Sequence, residues 1–282
     1  MPTLQISNFK NKIVHTFIKL FILLAIYSLL TINYSLAQSP VPLTALDKAQ
    51  NDYTFQFIKY REAQNKYINA RSSYLTFQTA TAKNNAYLAT SDYLLKIDDL
   101  YHAYLFLVNE NGNSLGWQNS DISKDHINQI IDNEIAFFDN HQKKVNDAKT
   151  LEQLPDLATD LRSHRDKEFN LKINKILATF EVIEAQSAIA DFNKLARDLD
   201  KIITSKIEKD QNQSILANWI SEITDIKAKT QNYLTKAKEL LEKTKEQTAS
   251  GDELKDISSF AQLAKNELLR SKPLFKEVIG IL

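Results

Sequence analysis

Tyr53, Tyr60, Tyr67 and Tyr74 recur every seven residues, and Phe57, Ala63, Ala70 and Phe77 fill the three- and four-residue steps between them. Side chains so spaced fall on one side of an α-helix, so the pattern predicts a long helix with a single apolar stripe. Through Thr76–Ala82 the stripe blurs, then resumes one residue out of phase as Tyr87, Leu94, Tyr101 and Val108, with Ile97 and Tyr104 between. A helix running unbroken over 43–108 would be roughly 100 Å long at about 1.5 Å per residue. The phase slip therefore predicts a stutter or bend near residues 78–86, giving either an elongated rod or a break.

Asn109–Gly116, with two glycines and three asparagines, reads as the strongest turn in the chain. A helix is expected from about Ser123, carrying Ile127, Ile131, Ile135, Phe138 and Val145 on one face. Leu154, Leu157 and Leu161 form a short apolar face with Pro155 in its first turn. Ile173, Ile176, Phe180 and Ile183, then Phe192, Leu195, Leu199 and Ile202, mark a long helix that loosens at Asp210–Gln213. The most regular heptads follow, stepping through Leu216, Trp219, Ile223, Ile226, Thr230, Tyr233, Ala237, Leu240 and Thr244. Ser250-Gly251-Asp252-Glu253 has the spacing of a capping box and opens a last helix through Leu254, Ile257, Ala261 and Leu268. Pro273 is expected to bend or restart it before Phe275, Val278 and Ile279.

About five long one-striped helices must bury their stripes on one another, and short connections make neighbours antiparallel. The expected fold is all-α, an elongated antiparallel helical bundle with coiled-coil-like packing. Few runs alternate as a half-buried strand does, so no sheet is expected. An aromatic-rich helical hairpin over 38–149 and an Ile/Leu/Lys/Glu-rich bundle over 150–282 are expected, either as two bundles or as one continuous domain.

Composition adds an address. No acid precedes Asp47, whereas Lys10, Lys12 and Lys19 flank an apolar run, Leu20–Ile32, of signal-peptide length. Ser35-Leu36-Ala37 offers a cleavage site, so residues 1–37 are read as a signal peptide; the alternative is an uncleaved anchor from Ile13 to Ala37. The expected location is thus periplasmic, cell-surface or secreted, or membrane-anchored through that segment alone. Beyond residue 37 lie all 35 acids and 32 of the 35 Lys and Arg, a net charge of about −3 with the signs interspersed, which argues against nucleic acid as a partner. With no cysteine, thiol chemistry and disulfides are excluded and stability rests on packing.

Candidate chemistry is sparse. His102, His126, His141 and His164 all fall on predicted helices, mostly beside charged residues, and read as solvated helix-face side chains. Asp99 and His102 stand one turn apart, a spacing used by di-metal carboxylate bundles, but the second copy such a site needs is missing. No GxSxG and no glycine-rich phosphate loop occurs. An enzyme, a metal and a cofactor are therefore not expected. The candidate contact residues for a partner or ligand are Trp117, in the glycine-flanked turn, and the stripe of Tyr53, Tyr60, Tyr67 and Tyr74. Core packing is the competing role for each.

The layout of a basic-flanked apolar segment followed by a long helical bundle resembles bacterial extracytoplasmic sensor domains, which implies ligand binding; a return span and a signalling domain are not read here. The Tyr60/Ala63 and Tyr67/Ala70 steps resemble the helical hairpins of outer-membrane efflux channels over about 30 residues, without the barrel strands. The whole chain beyond the signal resembles uncharacterised secreted all-helical bacterial proteins, which implies no activity. The function expected is an exported structural or protein-interaction bundle of the bacterial envelope or exterior, its partner a protein, either self or another envelope protein. The alternative is an extracytoplasmic ligand-binding bundle.

Overall fold

A computed structural model describes residues 42–207, 213–246 and 250–281, which holds the unit running from Leu43. The segment read as a signal peptide, with its expected cleavage site, and the expected loosening at Asp210–Asn212 lie outside the described residues. The fold is all-α, with no strand among the described residues.

Thr44 starts the first helix, α1 (Ala45–Phe77), with a capping box: its hydroxyl accepts from the Asp47 amide at 3.0 Å and the Asp47 carboxylate accepts from the Thr44 amide. The phase slip resolves as a break. Gln78 adopts the left-handed conformation (φ 49°), Thr79 caps the next helix, and α2 (Ala80–Asn113) returns antiparallel along α1. A single helix over 43–108 is thereby excluded. The turn after α2 is shorter than its composition suggests, since helix continues to Asn113. Gly112 lies within the helix, and Phe180 packs so close that a Cβ there would lie 2.7 Å from its ring; the glycine serves close approach rather than a turn.

A 3₁₀ turn at Trp117–Asn119 leads to α3 (Lys124–Asp147), antiparallel to α2. A second 3₁₀ turn, Leu151–Gln153, enters α4 (Leu154–His164) with Pro155 in its first turn. From α4 the backbone stays helical through a π-helical turn, Arg165–Phe169, into α5 (Asn170–Ile207). Then come α6 (Gln213–Glu246) and α7 (Gly251–Ile281), the latter opened by the Ser250/Glu253 capping box. Helix continues through Pro273 rather than restarting.

Helix α5 is the shared wall of the fold. Its face of Ile173, Ile176, Phe180 and Ile183 closes a core with α2, α3 and α4, including Leu94, Leu105, Val108, Ile131, Phe138, Val145, Leu154 and Phe169. Its opposite face of Ala178, Val182, Ala185 and Ile189 closes a second core with α6 and α7, against Leu234, Ala237, Leu241, Leu254, Ile257 and Ala261. Further along, Phe192 and Leu199 meet Trp219, Ile223, Ile226 and Phe275. Pairings such as Glu184–Lys265 and Phe192–Phe275 run in step, so α5 and α7 are parallel with α6 antiparallel to both. Helix α1 is different. Its neighbour is α2, and only Ala49 and Ala63 are fully buried on it.

Candidate functional site

The heptad tyrosines of α1 turn toward α2 and stack there. Tyr60 and Tyr67 lie on either side of Tyr93, ring centroids 5.7 and 5.1 Å away, and Tyr53 meets Tyr104 at 5.8 Å. The Tyr60 and Tyr93 hydroxyls are 3.5 Å apart, with the Gln64 amide reaching both. Burial, then the Tyr60 hydroxyl, pushes the Tyr93 phenol up to about 12. Tyr74 is half-buried near the Gln78 turn. Trp117 lies at the other end of α2, its indole N–H donating to the Gly112 carbonyl at 2.6 Å and its ring edge-on to Phe180. The five candidate residues thus do not converge on one site.

The polar centre of the molecule is elsewhere, between α2, α3 and α4. Asp98 on α2 is fully buried, and its Oδ2 lies 2.7 Å from Nδ1 of the equally buried His141 on α3. The other nitrogen of His141 donates to the Leu157 carbonyl of α4 at 3.2 Å. Asp98 Oδ1 is buried without a hydrogen-bond partner among the described residues. Burial holds the Asp98 carboxyl above the usual carboxylate range, the His141 contact opposing it.

Two helical turns before His141, Glu134 is also buried and accepts from His164 Nε2 and from the Lys172 ammonium, each at 2.7 Å. Burial pulls the Lys172 ammonium down, but its hydrogen bonds to Glu134 and Glu168 more than offset this and leave it raised. Phe137 separates the two clusters, its ring stacked on His164 at 3.5 Å and parallel to His141 at 6.4 Å. A groove of ≈ 260 Å³ opens beside them, lined by Phe137, His141, His164, Ser163, Lys144 and Glu168 among others. The π-helical turn begins directly after His164. Such turns commonly sit at functional sites, because the extra residue re-aims the side chains around it.

One sequence expectation needs correction. His141 is buried and His164 half-buried, each against a buried carboxyl group, rather than solvated on a helix face; of the four histidines His126 is the exposed one. Asp99 and His102, one turn apart, take separate partners: Asp99 takes Lys96 and Gln142, while His102 faces Asp139 and the Ile135 carbonyl. The acid that matters is its neighbour Asp98. An acid at 98 in phase with Leu94 and Leu105 on the buried side of α2 was the available signal.

Chemically, His141 has no ring nitrogen left to serve as a base, since Asp98 and a backbone carbonyl take both, so Ser163 in the same groove gains no activated partner from it. Among the described residues no group of three or more metal-ligating side chains is placed to hold an ion, and no helix is long and apolar enough to cross a membrane. What the arrangement does is tie α2, α3, α4 and α5 to one another through largely buried hydrogen bonds.

The third feature is apolar exposure. Nine of the eleven large apolar side chains exposed among the described residues lie between Leu43 and Phe106. Phe57, Ile68 and Leu75 fall eleven and seven residues apart, close to three and two whole turns, and so line one flank of α1; they are 45%, 53% and 57% exposed. The outermost line of the same helix is polar: Asn51, Thr54, Arg61, Asn65, Asn69, Ser72 and Thr76, broken only by Ile58.

No family model matches this chain, and comparison with curated proteins and with solved structures likewise yields no match.

Proposed function

We propose that this chain is an exported helical interaction protein of the bacterial envelope or exterior, which takes a partner protein's helix along the Phe57–Ile68–Leu75 flank of α1. The observation carrying the reading is that flank. A long helix with one neighbour and large apolar side chains left in solvent is what helix-in-groove recognition uses. Charge narrows the partner. Arg61 and Arg71 border the flank at helical spacing, while Glu62, the single acid of residues 58–77, is paired with Lys59, so the complementary helix is amphipathic with an acidic rim. A flat anionic membrane fits less well, because the outermost line of α1 is polar and the apolar residues sit to its side. The stacked tyrosines lend the ligand-binding alternative less support than this flank lends to protein interaction.

The test is a photo-crosslinking side chain at Ile68, read in the native host. The expected result is a discrete adduct to an acidic-rimmed helix of another protein, lost when Phe57 and Leu75 are both changed to Ser while helicity is kept. Adducts to lipid alone, to a second copy of the chain, or to nothing would overturn the assignment.

A further inference from the structure

The Asp98–His141 pair constrains its own protons. The Leu157 carbonyl is only an acceptor, so His141 Nε2 must carry hydrogen. At Nδ1, a carboxylate facing a bare imidazole lone pair at 2.7 Å would be repulsive, so a hydrogen lies between them whichever atom owns it. The pair is therefore either a neutral acid donating to a neutral imidazole, or a carboxylate accepting from an imidazolium. Asp98 Oδ1 favours the first: it is buried with no partner among the described residues, and an unpartnered oxygen is cheaper on a neutral acid than on a carboxylate. Burial also raises the Asp98 carboxyl, in the same direction.

We propose that this one shared proton latches α2, α3 and α4 together, and that its loss in alkaline solution opens the latch. Once the proton leaves, a neutral imidazole carries only one N–H. It can satisfy the Asp98 carboxylate through Nδ1 or the Leu157 carbonyl through Nε2, but not both. Donation to the buried carboxylate is the stronger demand, so the contact given up is the one to α4.

The surrounding charges are engaged elsewhere or lie on the groove side. On α2, Asp99 is held by Lys96 and Gln142, and His102 faces Asp139 of α3. On α4, His164 is bonded to Glu134. Lys144, Asp160, Lys167 and Glu168 line the groove. The nearest of these act weakly on Asp98 and in opposite senses, His102 lowering it and Asp99 raising it.

The experiment is a nitrogen NMR titration of the His141 ring in the intact protein, paired with hydrogen exchange of Leu154–His164 across the same pH range. The expected spectrum at neutral pH shows Nε2 protonated and Nδ1 hydrogen-bonded. Above the pH at which the shared proton leaves, opening of α4, corrected for intrinsic exchange, grows by up to about tenfold per pH unit. In Asp98→Asn the side-chain amide donates to Nδ1 of the neutral imidazole and holds no acidic proton that alkali removes, so that growth disappears. A neutral-pH spectrum in which Nδ1 is free of any hydrogen bond or Nε2 carries no proton, or a variant whose α4 opens with the same pH dependence as the parent, overturns the proposal. If the variant does not fold, the titration of the parent protein decides alone.

Discussion

Replacing Glu134 by Gln tests whether the buried carboxylate between His164 and Lys172 is the tie the structure describes. The side chain keeps its volume and loses its charge, so no cavity is opened. Each hydrogen bond to a charged group contributes about 1.5–3 kcal/mol and a neutral one about 0.5–1.5 kcal/mol. Gln retains one acceptor oxygen for Lys172, and His164 can shift its proton to Nδ1, toward Glu168 at 3.8 Å, and accept from the amide. Two charge-assisted bonds thus become two weaker ones. The share due to Lys172 must be cut further, because that ammonium is 38% exposed and already holds Glu168 at 3.0 Å. The expected cost is about 2 kcal/mol for Glu134→Gln, rising to about 3–4 kcal/mol for Glu134→Ala, which strips both partners of their acceptor. Lys172→Met alone should cost about 1 kcal/mol. The assay is equilibrium urea unfolding followed by far-ultraviolet dichroism and by tryptophan emission. Trp117 reports the core that holds Glu134 and Trp219 reports the far end of α5. A Glu134→Gln protein within about 0.5 kcal/mol of the parent, the range of ordinary surface substitutions, would refute the buried tie. A Glu134→Leu protein more stable than the parent would instead mean that the polar cluster is kept for something other than stability.

Two further outcomes follow from the same geometry. Tyr93, pushed up to about 12, keeps its proton in the folded state while an unfolded tyrosine releases it near about pH 10. That contribution is complete below about pH 10 and is lost as pH rises toward 12, so the parent protein should lose stability over this window relative to Tyr93→Phe. Solvent reaching the half-buried ring keeps the difference under about 2 kcal/mol; parallel unfolding midpoints from pH 9 to 12 would count against the Tyr60–Tyr93–Tyr67 stack. At the hinge, Gln78 stands at φ 49°, a conformation that costs a side-chain-bearing residue about 1–2 kcal/mol. Gln78→Gly should therefore stabilise by about 0.5–1 kcal/mol after the added freedom of the unfolded chain is subtracted, seen as a higher melting temperature; a lower one would exclude the left-handed cap.

The local pattern by itself determined the helices, their caps and most of their buried faces. The Tyr53–Tyr74 stripe, the Ser250/Glu253 capping box and the Trp219–Thr244 heptads are legible because three- and four-residue spacing and capping depend on residues within one turn of each other. The slip after Phe77 was legible as a slip, but whether the chain bends, stutters or reverses is set by the partner that α2 finds, which spacing along one helix does not encode. The second face of α5 is hidden in the sequence for a related reason. Ala178, Val182 and Ala185 are small and interleave with the stronger Ile176–Phe180–Ile183 stripe, so a helix buried on two sides reads as a helix buried on one. The polar cluster depended most on tertiary structure. Asp98 and His141 are 43 residues apart, and Glu134 and Lys172 are 38 apart. Charge in a sequence is taken as exposed, because burying it is unfavourable unless a partner of the right geometry arrives from another helix. Only the packing of α2, α3, α4 and α5 around Phe138 brings those partners within hydrogen-bond distance.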